Sequence, residues 1–270
     1  NAAEHLNARY SVGIDLGTTH CVLSYLDLDN TNDDQPADVK VLSIPQLSQP
    51  GVVEEKSQLP SFIYQAHEAE LNETDLTLPW SNTKKAITGN IARHLGSKTP
   101  IRLVASAKSW LCHSRVDPHA AFLPAGSPED VDKISPLQAT TEYLEHLSHA
   151  WDQQFPDSPL KEQNVTITIP ASFDPAAREL TAEAASQTDF KHLTLLEEPQ
   201  AAVYNWIKAC GDSWREQVCV GDIILVIDIG GGTTDLSLVA VSENDGNLIL
   251  NRVAVGDHIL LGGDNMDLAL

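Results

Sequence analysis

The 270-residue chain is poor in several features that mark particular classes of protein. It has 17 Lys and Arg residues against 38 Asp and Glu, which gives a formal net charge of −21. This shortage of basic residues argues against a nucleic-acid partner, because phosphate recognition there needs clustered Lys and Arg, and against an anionic membrane surface. It does not exclude a nucleotide, since glycine-loop amides and a metal ion hold phosphates without net positive charge.

Cysteine and long apolar runs are also scarce. The four cysteines form no C-x-x-C pair, so reduced thiols in a cytoplasmic protein are the simplest interpretation. The start, NAAEHLNARY, has no apolar signal-peptide core, and no apolar run reaches the roughly 18 residues that a membrane helix needs. We therefore expect a cytoplasmic location, no membrane partner and no nucleic-acid partner.

Two parts of the chain, 1–29 and 135–270, alternate β-branched runs with amphipathic stretches, which is the pattern of an α/β sheet. Ser135 and Asp174–Pro175 are good starts for helices. Residues 30–134 are instead acidic, extended and punctuated by proline, with one helix expected near Lys84 to Leu95. We interpret them as a smaller subdomain inserted into the first sheet.

One design occurs twice: GIDLGTTH at Gly13–His20 and VIDIGGGTTD at Val226–Asp235. Each has an apolar strand, an aspartate and then a glycine and threonine cluster, which predicts a hairpin. Glycine lets the backbone approach a ligand, successive amides form a nest for phosphate oxygens, and the aspartate can hold hydrated Mg²⁺. The alternative for either copy alone is a hairpin turn in which glycine serves geometry. Two copies favour phosphate binding.

The chain resembles the actin-like ATPase superfamily, and within it the ATPase domain of the seventy-kilodalton heat-shock chaperones, the DnaK family. The matching segments stand in the family's order and are GIDLGTTHC, SAKSWL, VTITIPASFDPAARE, LLEEPQAAVY, VIDIGGGTTDLSL and GDHILLGGDNMD. The resemblance implies an α/β, ribonuclease H-like fold with duplicated lobes: a first lobe over 1–211, which contains the insert, and the first part of a second over 212–270. It indicates a divergent, truncated bacterial member.

The resemblance also explains the repeat, because in the family these turns are the phosphate loops of two lobes, with ATP or ADP and Mg²⁺ in the cleft between them. It implies that Asp15, Asp228 and Glu198 hold Mg²⁺ through water and that Asp235 assists with ions or water. The implied phosphate contacts are Gly17, Thr18, Thr19, Gly230, Gly231, Gly232, Thr233, Gly262 and Gly263. The Gly262–Gly263 pair precedes a helix start that suits an anion, but an ordinary loop explains it equally well.

The implied catalytic residues are Lys108, Glu198, Asp228 and Thr233. Lys108 would stabilise the γ-phosphate and orient the attacking water, whereas a lone lysine is usually a solvated surface charge. Cys112 stands where the family has a glycine after this lysine. Glu198 at a helix start is also explained by the helix dipole, and Glu197 falls where the family often has Asn.

The remaining implications concern coupling. Pro170 and Arg178 match the family's relay between nucleotide state and the substrate-binding part, although a strand-ending proline and a surface arginine would look the same.

Two groups of side chains could suggest metal sites: Glu142, His146 and His149, which share a helix face, and Cys112, His113 and His119. For both groups we favour solvated faces over metal sites.

We expect a chaperone-like ATPase module whose partners are the nucleotide and, through regions beyond Leu270, client proteins and co-chaperones. The alternatives are a small-molecule kinase, for which no further base motif is present, and a non-hydrolysing interaction module, which the insert keeps open. Because the family's second lobe continues past its glycine pair, we expect these residues to be a fragment that alone is inactive or weak.

Overall fold

The computed structural model describes residues 8–31, 38–80, 86–113, 115–245, 247–257, 259 and 261–269. The strands are β1 (Tyr10–Leu16), β2 (His20–Asp27), β3 (Lys40–Val41), β4 (Ile44–Gln49), β5 (Val52–Lys56), β6 (Leu59–Pro60), β7 (Ile63–Gln65), β8 (Ala86–Thr88), β9 (Leu103–Val104), β10 (Asn164–Ile169), β11 (His192–Glu197), β12 (Ile223–Ile229), β13 (Thr234–Asn244) and β14 (Asn247–Val255). The helices are α1 (Asn90–Lys98), α2 (Ala107–Leu111), α3 (Pro136–Gln154), α4 (Pro175–Ser186), α5 (Glu198–Cys210), α6 (Trp214–Gln217) and α7 (Gly263–Ala269).

The chain divides into two compact units, the first formed by 1–167 and 175–194 and the second by 168–174 and 195–270. The largest sheet has the strand order β11–β10–β1–β2–β3, with β6 also paired to β2. The two units are defined by the packing within each of them and do not test the lobe boundary at 211/212, which stays a prediction.

In the first unit the predicted hairpin is confirmed, since β1 and β2 pair antiparallel from Tyr10↔Asp27 to Leu16↔Cys21. Alternate residues of β1 are buried, as the period of a strand with one core face requires. Helix α3 packs on this core through Trp151, which is fully buried and makes edge contacts with Tyr10 and Tyr25. Truncating such a core tryptophan typically costs about 3–5 kcal/mol.

The start of α3 follows the predicted cap. Ser135 is the N-cap and its side chain accepts a hydrogen bond from the Gln138 amide at 3.0 Å, with Pro136 in the first turn. The helix also corrects one expectation. His146 does not lie on a solvated face: it is buried, and its Nε2 donates to the Pro45 carbonyl at 2.9 Å. The cause is the chain around β4, which packs on this side of α3.

The inserted residues form small sheets rather than long extended segments. β4 and β5 make a hairpin, and β7 pairs with both β8 and β9. The expected helix near Lys84 to Leu95 is confirmed only in its later part, because Ala86–Thr88 forms a strand and α1 begins at Asn90. Residues 84 and 85 lie outside the described part of the chain.

In the second unit β12, β13 and β14 form an antiparallel meander, whose first two strands are the hairpin predicted around the second turn. One face of this sheet packs against Trp214 and Val218, with Trp206 of α5 beside them. The opposite face of β12 is exposed and apolar, and its members are Ile223, Leu225, Ile227 and Ile229. We call these four residues the β12 apolar face. Among the described helices, none is long and apolar enough to cross a membrane.

Candidate functional site

The first glycine–threonine turn, Gly17–Thr19, joins β1 to β2 in the first unit. Asp15 lies near the end of β1 on its exposed face, while Ile14 and Leu16 are buried. The turn is so tight that a Cβ on Gly17 would lie 2.3 Å from the His20 carbonyl oxygen. Glycine is therefore required at this position by the close approach of backbone atoms.

Lys108 is half-buried and is the second residue of α2. The helix begins directly after Ser106, which has a left-handed φ of 54°. Burial raises the pKa of the Cys21 thiol to about 12; the Asp15 carboxylate adds to this effect and the Lys108 ammonium opposes it. Lys108 and Asp15 thus act electrostatically on the same buried atom. Lys108 therefore lies within electrostatic range of Cys21, which follows the first turn, and its role toward phosphate stays a prediction.

His20 follows the first turn and contacts it through its side chain. Its Nδ1 lies 3.1 Å from the Thr19 Oγ1. Burial, and secondarily the nearby Arg93 charge, lowers the pKa of His20 below its ordinary value. The imidazole is therefore neutral at neutral pH and in contact with one of the two threonine hydroxyls of the turn.

The second turn, Gly230–Thr233, joins β12 to β13 in the second unit. The Gly230 amide donates to the Thr233 carbonyl at 2.8 Å, and the Thr233 hydroxyl donates to the Asp235 carboxylate at 3.3 Å. Asp228 and Asp235 are direct cross-strand partners, and Asp235 is buried. Like charges directly opposite each other repel. Two such carboxylates beside a glycine turn fit a hydrated divalent cation, whose charge offsets that repulsion.

Gly262 and Gly263 lie against this second turn. The amides of Gly263 and Asp264 donate to the Gly230 and Gly231 carbonyls at 2.9 and 2.8 Å, and a Cβ on Gly262 would lie 2.5 Å from those carbonyl oxygens. The Gly262 amide donates to the Asn265 side chain at 2.9 Å. In this structure the glycine pair supports the turn, and its role toward phosphate stays a prediction.

Glu198 is the first residue of α5, and Glu197 is its N-cap without a side-chain capping bond. Glu198 is half-buried, whereas Glu197 is buried and forms an ion pair with Arg252 of β14. An acidic residue in the first helical turn is stabilised by the helix dipole. The helix dipole therefore explains the position of Glu198 locally, and its role toward a metal-bound water stays a prediction.

The two relay candidates fall in different units, Pro170 in the second and Arg178 in the first. Pro170 is buried after β10 and its carbonyl accepts from the Phe173 amide at 3.1 Å; Arg178 is half-buried on α4. Within the first unit the structure gathers Asp15, the first turn and Lys108. Within the second it gathers the second turn, Asp228, Asp235 and the glycine pair.

No group of three or more His, Cys, Asp or Glu side chains among the described residues could hold a metal ion by direct ligation. The predicted Mg²⁺ contacts run through water and are of a different kind. All four cysteines are free thiols.

Two residues that contact the candidate site were not identified from the sequence. Ser61 hydrogen-bonds the first turn from 44 residues away, and Arg252 pairs with the acid that precedes Glu198. Neither lies in a motif. The only local signal for Ser61 was a proline immediately before it, which is typical of an edge strand.

Comparison with known proteins gives the family. A family model described as Hsp70 protein matches residues 11–270. The chain belongs to the Hsp70 family. Its fold is therefore the actin-like ATPase fold that the resemblance implied, and the resemblance to seventy-kilodalton heat-shock chaperones is confirmed.

Curated relatives agree with this assignment. A protein named chaperone protein HscA homolog from Haemophilus influenzae (strain 86-028NP) is 31% identical over 276 residues, which cover 98% of this chain and 37% of the relative. Chaperone protein HscA of Xenorhabdus nematophila is 29% identical, with 100% of this chain and 38% of the relative covered. This Hsp70-family chain thus spans well under half the length of the curated relatives it matches.

Proposed function

We propose that this chain binds ATP and ADP with Mg²⁺ and is the nucleotide-binding part of a DnaK-like molecular chaperone. The observation that carries the proposal is the pair of glycine–threonine turns, each entered from a strand that presents an aspartate, Asp15 in one case and Asp228 in the other. Their membership in one Hsp70-family chain supports a shared ligand with several phosphates.

The chain's own groups match the phosphates by charge and hydrogen bonding. Amides of Gly17, Gly231 and Gly232 and the hydroxyls of Thr18 and Thr19 are candidate donors for phosphate oxygens. The Gly230 amide already bonds the Thr233 carbonyl, and the Thr233 hydroxyl would have to turn from Asp235 to reach a phosphate. Asp15 and Asp228 would bind the hydration shell of Mg²⁺, with Asp235 beside them. Bound Mg²⁺ would supply charge neutralisation on the β- and γ-phosphates.

We further propose that the full-length protein hydrolyses ATP. In phosphoryl transfer, the protein contributes positioning and electrostatic stabilisation more than covalent chemistry. The Lys108 ammonium would stabilise the charge that develops on the transferred group, Thr233 would donate to it, and Glu198 would orient the attacking water or hold a metal-bound one.

The wider cycle is part of the same proposal. Hydrolysis would drive binding and release of client proteins, with co-chaperones as further partners, and Pro170 with Arg178 would couple nucleotide state to that binding. A cytoplasmic location is proposed from the four free thiols.

Titration calorimetry with Mg–ATP tests the binding proposal by comparing two aspartates, Asp228 near the end of β12 and Asp222 just before its start. Asp228→Asn should weaken Mg–ATP binding at least about tenfold, or 1.4 kcal/mol, and leave metal-free ATP binding nearly unchanged. Asp222→Asn is the control, because Asp222 accepts the Cys219 amide at 2.8 Å and retains an acceptor oxygen as asparagine. Equal Mg–ATP affinities in both variants would remove Asp228 from the site.

A further inference from the structure

Ser61 contacts both ends of the first turn. Its hydroxyl donates to the Gly17 carbonyl at 2.7 Å, and its amide donates to the Thr19 carbonyl at 2.9 Å. Ser61 is only 2% exposed, so these bonds are shielded from competition by water. One residue from the inserted segment therefore holds two of the three carbonyl groups of the turn.

Strand β6 fixes Ser61 in place. Its two residues pair with β2 in the register His20↔Pro60 and Cys21↔Leu59, and Leu59 is fully buried. The Cys21 Sγ lies 3.3 Å from the Ser61 Oγ. Burial raises the pKa of this thiol to about 12, so it stays protonated and can donate to the serine oxygen. A buried series of hydrogen bonds thus runs from Cys21 through Ser61 to Gly17.

Peptide planarity converts these contacts into an orientation of amides. In a trans peptide the C=O and the following N–H point in opposite directions. Holding the Gly17 and Thr19 carbonyls toward Ser61 therefore directs the amides of Thr18 and His20 away from Ser61. Glycine has an unusually large choice of backbone conformations, so a turn that begins with Gly17 needs such an external constraint to keep one orientation.

We propose that Ser61 is a positioning residue for phosphate binding, acting through the first turn without touching the ligand. Its two hydrogen bonds preset the Thr18 and His20 amides as donors for anionic oxygens, so that nucleotide binding does not have to order them. This inference rests on the proposed function and deepens it. Pre-ordered donors raise affinity by lowering the entropic cost of binding.

The test compares Ser61→Ala with Ser43→Ala. Ser61→Ala removes the hydroxyl but keeps the backbone amide bond to Thr19. Ser43 is the control, a half-buried serine of the same inserted region whose hydroxyl donates to the Glu55 carboxylate at 2.9 Å. In the nucleotide-free protein, the backbone order parameters of Thr18 and His20 should fall in Ser61→Ala and stay unchanged in Ser43→Ala.

Binding and turnover then separate positioning from general damage. In the full-length protein, the Kd values for Mg–ATP and Mg–ADP should both rise about tenfold in Ser61→Ala, equivalent to 1.4 kcal/mol, while kcat at saturation changes less than about threefold. Ser61→Thr, which retains the hydroxyl donor, should give Kd values closer to those of the wild type than Ser61→Ala does. A wild-type protein that does not bind Mg–ATP would overturn the proposed function. Wild-type binding with unaltered affinity in Ser61→Ala would overturn only this inference.

A measurement on the wild type keeps the inference testable if Ser61→Ala does not fold. The backbone order parameters of Thr18 and His20 in the nucleotide-free protein should be near 0.85, the value of rigid backbone. Values below about 0.6 would mean that the turn is flexible despite Ser61, and the positioning role would be rejected.

Discussion

Arg252 of β14 and Glu197 at the N-cap of α5 form a two-point ion pair in the second unit. The Arg252 Nη2 donates to the Glu197 Oε1 at 2.9 Å, and the Nε of the same guanidinium pairs with the other carboxylate oxygen. The Glu197 side chain is 9% exposed. A carboxylate that is this well buried depends on its partner, and it immediately precedes Glu198.

Removing the arginine should therefore be costly. We expect Arg252→Leu to lower the free energy of unfolding by about 3 kcal/mol, because it leaves a buried carboxylate without its cation. The double variant Glu197→Leu/Arg252→Leu should recover most of this loss. Urea unfolding measures both. Equal stabilities of the single and double variants would show that the loss does not come from the unpaired Glu197 carboxylate.

An exposed ion pair in the same chain is the control for this prediction. Arg9 pairs with Asp27 at 3.1 Å, and the Arg9 side chain is 49% exposed. Exposed pairs contribute roughly 0–1 kcal/mol. Arg9→Leu should thus change stability far less than Arg252→Leu does.

His146 predicts a pH dependence of stability. Burial lowers its pKa from 6.5 to about 4, with a smaller effect from the charge of His149, while the Pro45 carbonyl opposes the shift. Between these values the unfolded chain binds a proton that the folded chain does not, so stability falls as pH decreases. The contribution is complete above pH 6.5, and about 3 kcal/mol is lost on reaching pH 4.

Unfolding free energies measured from pH 7 to pH 4 check this expectation. His146→Gln keeps a donor for the Pro45 carbonyl but does not titrate, so its stability should decline less steeply over this range. His149→Gln is the control, because His149 is exposed. A His146→Gln profile parallel to that of the wild type would contradict the assignment.

Lys108 carries the hydrolysis proposal. In the full-length protein, Lys108→Ala should abolish single-turnover ATP hydrolysis and leave nucleotide affinity within roughly tenfold, about 1.4 kcal/mol. The reason is that a lysine on the γ-phosphate acts mainly on the transition state. Lys98→Ala, at the end of α1, should hydrolyse normally. Unchanged turnover in Lys108→Ala would show that Lys108 has no catalytic role.

The β12 apolar face should make this chain bind apolar dyes and self-associate. Ile227 and Ile229 are 57% and 59% exposed, and neighbouring apolar side chains on one face form the kind of patch that other molecules cover. Leu225→Thr combined with Ile227→Thr should reduce anilinonaphthalene sulfonate fluorescence and the sedimentation coefficient at high concentration. Val226→Thr, on the opposite face, should not reduce either signal.

Local patterns predicted the elements that carry the site, because hairpins and helix caps are determined by neighbouring residues. The two turns and the cap at Ser135 are examples. Contacts across long sequence separations could not be predicted in this way. Ser61 reaches Gly17 across 44 residues, and His146 is buried by Pro45 from 101 residues away. The helix expected near Lys84 began late because Ala86–Thr88 pairs with β7.

The most direct test maps the residues whose amide chemical shifts change when a non-hydrolysable Mg–ATP analogue is added. The account predicts that the largest shifts occur at both turns, in Gly17–His20 and in Gly230–Thr233, with Asp15→Asn and Asp228→Asn each weakening the response. Shifts confined to one turn, or centred on residues away from Gly17 and Gly231, would contradict a shared nucleotide site.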